Sequence, residues 1–318
     1  MTLFYPASHL SHYSISEPKE GHQLTHFKLF NSRPQLPFVE AQRACQLIYE
    51  KYKTPLMICF SGGIDSECVA QAALAAKVPF ELVIMRLQPE FNDHDTIYAL
   101  EFCEKIGKKP IFIDLSIVRF YESGEYLEYA LKYRTNSPQF ATHLWLAQQI
   151  QGLPVFAGSF PYINYFDREG NELEESYLYT SEDKEYGVDR FFQQTGKSGV
   201  GHFFQYTPEL YFSFLTHTIA GSSKKKRMEL KLATHYDMKE YAFDQGGFDT
   251  KIVTGRSQKY TGFEKVKEYY ANRYGIGDAY EKLFREPLQR IFPLKTSVRT
   301  LLPKTAEENF FYHSEAES

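Results

Sequence analysis

The feature that most constrains this chain is a short apolar run, broken by a glycine pair and followed at once by an alanine-rich stretch. Leu56-Met57-Ile58-Cys59-Phe60 has no polar face, so it reads as a strand covered on both sides. Residues 61–66 form a glycine turn, and residues 67–76 have the composition of a helix. The alternation continues with a strand over 81–87, a helix over 93–106 that ends at Gly107, and a strand over 110–115. A helix near 124–133 precedes Ser137-Pro138, an N-cap followed by a proline at the first helical position, which opens a helix to about Gln151. Residues 154–158 supply a fourth strand. Strands and helices alternating at this spacing predict an α/β fold with a doubly wound parallel sheet.

That unit spans residues 41–165. Ahead of it, residues 1–40 form an irregular arm with Pro6, Pro18, Pro34 and Pro37, and an edge strand is expected over 25–29. A helical period starts at Phe38, with Ala41, Ala44, Leu47 and Ile48 on one face, and runs to about Tyr52. Residues 166–304 read as a mostly helical region suited to holding substrate or serving as a lid. Its first part, 166–200, is acidic and predicts a hairpin or a mobile excursion. Thr207 is an expected N-cap, and Thr261-Gly262-Phe263-Glu264 has the pattern of a capping box before a helix to about Tyr274. The acidic tail, 305–318, is expected to fray.

Composition narrows the function classes. The 318 residues carry a net charge of −4, so the global balance does not advertise nucleic acid. The four cysteines, Cys45, Cys59, Cys68 and Cys103, contain no CxxC pair, which gives a disulfide framework or structural zinc little support. With no apolar run near 18 residues and no leader pattern, a soluble, cytoplasmic chain without membrane contact is expected.

The glycine turn has a physical use. Gly62 and Gly63 allow backbone dihedrals and close approach that a side chain would block. Amides of the turn and of the first helical turn form a nest for an anion, and Ser61 and Ser66 add hydroxyls. Asp65 should repel phosphate unless it orients the loop or holds a bridging divalent cation.

Phe60-Ser61-Gly62-Gly63-Ile64-Asp65-Ser66 closely resembles the SGGxDS signature of the PP-loop ATP pyrophosphatases, the adenine nucleotide α-hydrolases. The resemblance covers residues 50–165 and implies a HUP-type fold that binds ATP and Mg2+ and splits ATP between its α and β phosphates. It implies that residues 60–66 cradle the β and γ phosphates and that Ile84-Met85-Arg86 face the adenine. It also implies that Gly158-Ser159 lie near the α-phosphate. Ligands at the carboxyl ends of parallel strands agree with this independently. Asn92-Asp93-His94-Asp95 falls at the same edge. There Asp95, with Asp65, is a candidate magnesium or substrate ligand, the alternative being that Asp93 or Asp95 caps a helix.

Missing residues select among branches of that family. No cysteine follows Cys103, which disfavours sulfonucleotide reductases, cysteine-dependent tRNA thiolases and zinc-holding nitrile synthases. The stretch 62–115 nonetheless resembles sequences labelled sulfonucleotide-reductase-like, many of them from phages, a likeness of fold rather than chemistry. What remains resembles asparagine, β-lactam and lysidine synthetases: ATP adenylates a carboxylate or amide, and an amine or ammonia displaces AMP. Thr2 follows Met1, so the N-terminal cysteine of a glutaminase domain is not expected. A nucleotide- or nucleobase-modifying enzyme and a non-catalytic nucleotide-binding protein are the other readings.

Four further features complete the candidates. Arg256 and Lys259, in a polar loop, suit a cationic clamp over the phosphates. Lys197 in Gln194-Thr195-Gly196-Lys197-Ser198-Gly199 resembles part of a Walker A loop. Phe191 stands where its first glycine belongs, so a mobile glycine-rich lid is the better reading. Lys224-Lys225-Lys226-Arg227 could meet RNA phosphates but reads better as a solvated face. His143 reads as a packing residue. A small-molecule substrate is expected, nucleic acid is not favoured, and a homo-oligomer remains open.

Overall fold

The computed structural model describes residues 34–166, 172–179, 186–232, 235–253 and 262–292, with short strands at 3–4, 13–19, 22–27 and 299–301. In the N-terminal arm, β1 (Leu3–Phe4), β2 (Tyr13–Lys19) and β3 (His22–Phe27) form an antiparallel sheet of their own. The arm strand expected over 25–29 therefore begins earlier and pairs with β2.

Helix α1 (Pro37–Tyr52) opens on a proline and buries Ala41, Ala44 and Ile48. The α/β unit follows as β4 (Leu56–Cys59), α2 (Ile64–Ala75), β5 (Phe80–Gln88), α3 (Asp93–Lys105) and β6 (Ile111–Ser116). Helices α4 (Ile117–Glu122), α5 (Glu125–Tyr133) and α6 (Pro138–Gln149) lead back to β7 (Leu153–Val155). The four strands form one parallel sheet in the order β6-β5-β4-β7.

The sheet separates two cores. Leu82 and Ile84 of β5 pack with Ala44, Ile48 and Ala73 in one, while Val83 and Leu87 pack with Ala130, Leu144 and Ala147 in the other. Successive strand residues point to opposite faces, so a continuous apolar run is what a sheet covered on both sides needs. Each fully buried aliphatic side chain contributes roughly 1.5–3 kcal/mol. Strand order reverses beside β4: β5 and β6 build away on one side, and β7 returns to the other. A crevice at the carboxyl ends of β4 and β7 follows from that reversal.

Strands β8 (Tyr162–Phe166) and β9 (Glu172–Tyr179) form an antiparallel hairpin, extended by β10 (Arg299–Leu301). Between them come α7 (Gly187–Thr195), α8 (Pro208–His217), α9 (Lys224–Glu229), α10 (His235–Gln245), α11 (Glu264–Tyr274) and α12 (Glu286–Ile291). Ser137 Oγ accepts from Phe140 N–H at 3.4 Å and Thr207 Oγ1 from Leu210 N–H at 3.1 Å, so both expected N-caps are made.

Several boundaries differ from the sequence reading. Helix α2 begins at Ile64, which moves Asp65 and Ser66 from the turn into the first helical turn. Strand β7 ends at Val155. Beyond it, Phe156 donates its N–H to Val200 O at 2.8 Å, and its carbonyl accepts from Phe203 N–H at 3.0 Å. The capping box does not form. Phe263 occupies the N-cap position of α11, so Glu264 is the first helical residue rather than the third, and Thr261 lies outside the described residues. Helix α2 is also clasped from far along the chain. Gln71 Nε2 donates to Asp249 O at 2.8 Å, and Asp249 N–H donates back to Gln71 Oε1 at 3.0 Å.

Candidate functional site

A cavity of about 320 Å³ opens at the carboxyl ends of β4, β5 and β7, within the size range of small-molecule sites. Its first wall is the glycine turn. Gly62 has φ +74°, and a Cβ there would stand 2.5 Å from Ala99 N in α3, so only glycine fits on both counts. Ser61 Oγ accepts from Gly63 N–H at 3.3 Å, and Ser66 Oγ donates to Gly63 O at 3.0 Å. The first α2 bond runs from Glu67 N–H to Gly63 O, so the amides of Ile64, Asp65 and Ser66 have no carbonyl one turn back. Three amides, two hydroxyls and the positive end of a twelve-residue helix thus collect at one spot.

The charge at this wall has a partner that the sequence did not reveal. Lys239 of α10 bonds Asp65 Oδ2, while Asp65 Oδ1 is buried with no hydrogen-bond partner among the described residues. Lys239 stands in α10 between the buried Met238 and the exposed Glu240, and nothing in that local pattern marks it out. The pairing exists only through the fold, across 174 positions of chain.

The second wall follows β7. Gly158 has φ +64°, and a Cβ there would lie 2.8 Å from His202 Cδ2. Gln205 Nε2 holds Ser159 O at 3.2 Å. His202 Nδ1 stands 2.6 Å from Asp189 Oδ2, with both side chains 2% exposed or less. The Tyr186 ring lies over the imidazole at 4.7 Å.

The third wall is the start of α3. Asn92 braces the end of β5: its Oδ1 accepts from Leu87 N–H at 2.7 Å, and its Nδ2 donates to Met85 O at 2.9 Å. The N-cap position of α3 is Asn92, so neither Asp93 nor Asp95 is the cap. Asp93 is exposed, His94 lies 3.5 Å from Glu264, and the buried Asp95 faces the cavity beside Gly262.

The remaining wall is apolar, formed by Phe140, Leu146, Phe156, Val188 and Phe263 with His143. Burial pushes the His143 imidazole down to about 4, so it is neutral at pH 7. The residue expected to be packing therefore also lines the site. Burial likewise raises the Cys59 thiol, which keeps it protonated and a poor nucleophile although it faces the same space.

Phe60, Ser61, Asp65, Ser66, Met85, Asp95, Gly158 and Ser159 thus meet at one cavity, whereas Gly62 and Gly63 shape its rim and Ile64 packs into the core. Arg86 does not join them. It sits opposite Asp114 in the β5–β6 register, binds that carboxylate in two bonds of 2.6 and 2.7 Å, and lies over the Phe112 ring. A guanidinium committed to the neighbouring strand is not an adenine contact. Arg256 and Lys259 lie outside the described residues, in the segment that leads into Gly262.

Two more sequence readings are corrected. Lys197 is no lid residue: its Nζ donates to Ala147 O, Gln148 O and Ile150 O at 2.6–3.2 Å and closes the end of α6. In the basic run, Arg227 is 3% exposed, donates to Ile163 O and lies near the Tyr165 ring. Only Lys225 and Lys226 of that run are fully exposed.

The nest offers donors to an anion, and Asp65 and Asp95 both line the cavity, each with a buried Oδ1, that of Asp65 having no hydrogen-bond partner among the described residues. Among the described residues no three His, Cys, Asp or Glu side chains form a cage for an ion bound by protein alone. Compared with known protein-family models and with curated proteins, the chain matches none.

Proposed function

We propose that this protein binds ATP in the cavity and cleaves it between the α and β phosphates, forming AMP as it activates a carboxylate or amide for attack by an amine or ammonia. The observation that carries the reading is the open nest of Ile64, Asp65 and Ser66 amides at the point where strand order reverses, facing Ser159 across one cavity. In this reading the nest and the Ser61 and Ser66 hydroxyls hold pyrophosphate. Lys239 offsets the charge of the phosphates and of Asp65. Met85 and its apolar neighbours take the base. Asp65 and Asp95 would hold Mg2+, which supplies charge neutralisation at the phosphates. Arg256 and Lys259 remain the proposed clamp, because they shortly precede Gly262 of the cavity wall in sequence. Such a site acts by positioning and by fixed charge.

The test is nucleotide product analysis with Mg-ATP, alone and with pools of amino acids, amines and bulk tRNA, beside Asp65→Ala. AMP and pyrophosphate that disappear in the variant are the expected products. ADP and phosphate would overturn the reading. Saturable ATP binding without turnover under every pool would make the protein a nucleotide-binding one.

A further inference from the structure

The proposed chemistry leaves a histidine–aspartate pair on the far wall without a role. His202 and Asp189 are both almost fully buried, 2.6 Å apart, and the imidazole lines the cavity with Ser159. The fold leaves them no room to move. A Cβ at Gly201 would stand 2.5 Å from Asp189 Oδ1, one at Gly158 would stand 2.8 Å from His202 Cδ2, and Tyr186 covers the ring. Two glycines therefore admit the pair and hold it to one geometry. The segment bearing His202 is itself fixed along β7 by the bonds between Phe156 and Val200 and between Phe156 and Phe203. Burying two ionisable groups is expensive unless each satisfies the other. A carboxylate on Nδ1 also fixes the tautomer, placing the proton on Nδ1 and leaving Nε2 as the basic nitrogen.

We propose that His202 is the general base of the second half-reaction and that Asp189 is its positioning residue, an inference that rests on the AMP-forming reading. Once the acceptor carboxylate has displaced pyrophosphate and carries AMP, the nitrogen of the amine bonds to the acyl carbon. The carbon–oxygen bond to AMP breaks, its electron pair leaves on the phosphate oxygen, and the nitrogen's proton passes to His202 Nε2. Asp189 stabilises the imidazolium that results. The nest and the dyad thereby divide the reaction: one wall serves pyrophosphate departure, the other serves nucleophile entry.

The test separates those halves. Wild type, His202→Gln and Asp189→Asn are supplied with Mg-ATP, labelled pyrophosphate, the twenty amino acids, polyamines and bulk tRNA, with ammonium as the added nucleophile. Pyrophosphate–ATP exchange and AMP release are followed in parallel. His202→Gln should keep exchange within about threefold and lose AMP release by about 100-fold or more, the range of general-base catalysis. Asp189→Asn should lose about tenfold or more. Its ¹⁵N-histidine spectrum should show the His202 proton moved from Nδ1 to Nε2, because an amide cannot hold the original tautomer. Loss of exchange together with AMP release, or retention of both, overturns the proposal. Should His202→Gln fail to fold, the wild-type ¹⁵N spectrum decides, since an Nε2-protonated His202 at neutral pH is incompatible with the role. A wild type silent in both assays would overturn the AMP-forming reading itself, and this inference with it.

Discussion

Two glycine-bearing segments with phosphate-loop composition meet opposite fates in this fold. Residues 61–66 lead from a central strand into a helix, and the amides of Ile64, Asp65 and Ser66 have no carbonyl one turn back. Residues 194–199 end a helix instead. Gly196 takes the left-handed conformation after α7, and the neighbouring lysine is consumed by three carbonyls of α6. One segment displays donors and the other satisfies acceptors. Both segments hold two glycines and at least one serine, but one carries Asp65 and the other Lys197. The difference lies in which end of which helix each occupies, because helix N-termini attract anions and C-termini attract cations.

The comparison is most exposed at Asp65. Asp65→Ala should lower AMP formation by about 1,000-fold or more, roughly 4 kcal/mol in barrier, while the thermal transition moves little. Steady-state turnover beside calorimetry checks both halves of that statement. Next come the glycines. Gly62→Ala combines a positive φ with a contact on backbone and should cost about 3 kcal/mol or more in denaturant unfolding. Gly196→Ala, with open space around its Cβ position, should cost about 1 kcal/mol. Equal costs would mean that the approach of the turn to α3 is not what fixes Gly62. Third, Lys197→Ala should remove about 2 kcal/mol of stability and leave ATP affinity unchanged, the reverse of Asp65→Ala. Weakened ATP binding there would bring Lys197 into the proposed phosphate site.

The smallest expected effect concerns His143, on the helix that Lys197 closes. Its folded-state value, about 4, lies below the ordinary 6.5, so the unfolded chain takes up a proton first as the pH falls. Stability is therefore lost between about pH 6.5 and 4. The full shift corresponds to roughly 3 kcal/mol, and about 1–2 kcal/mol is expected because the ring is only partly covered where it meets the cavity. Unfolding midpoints of His143→Gln should fall less steeply over that window.

The first half of the chain was legible because its signals are local. A buried strand, a glycine turn and a helix lie side by side, and Ser137 and Thr207 cap within three residues of themselves. The glycine turn between β4 and α2 was legible for the same reason. What escaped depends on distance along the chain. Lys239 meets Asp65 across 174 positions, and the His202–Asp189 pair joins a helix to a segment laid along β7. Arg86 was misplaced because its partner follows from strand register, opposite Asp114, which periodicity does not encode. Lys197 was misread as part of a mobile lid because the carbonyls it closes at the end of α6 lie 47 to 50 positions away.

The Gln71–Asp249 clasp has a consequence in time. At about 5–20 residues per second, the 178 positions between these residues take roughly 10–35 s to emerge from the ribosome. Throughout that interval the Gln71 amide has only Glu67 of its own helix, at 3.2 Å, and water as partners. The glycine-turn wall is thus written early and closed late, its helix waiting on a segment made 178 positions further along.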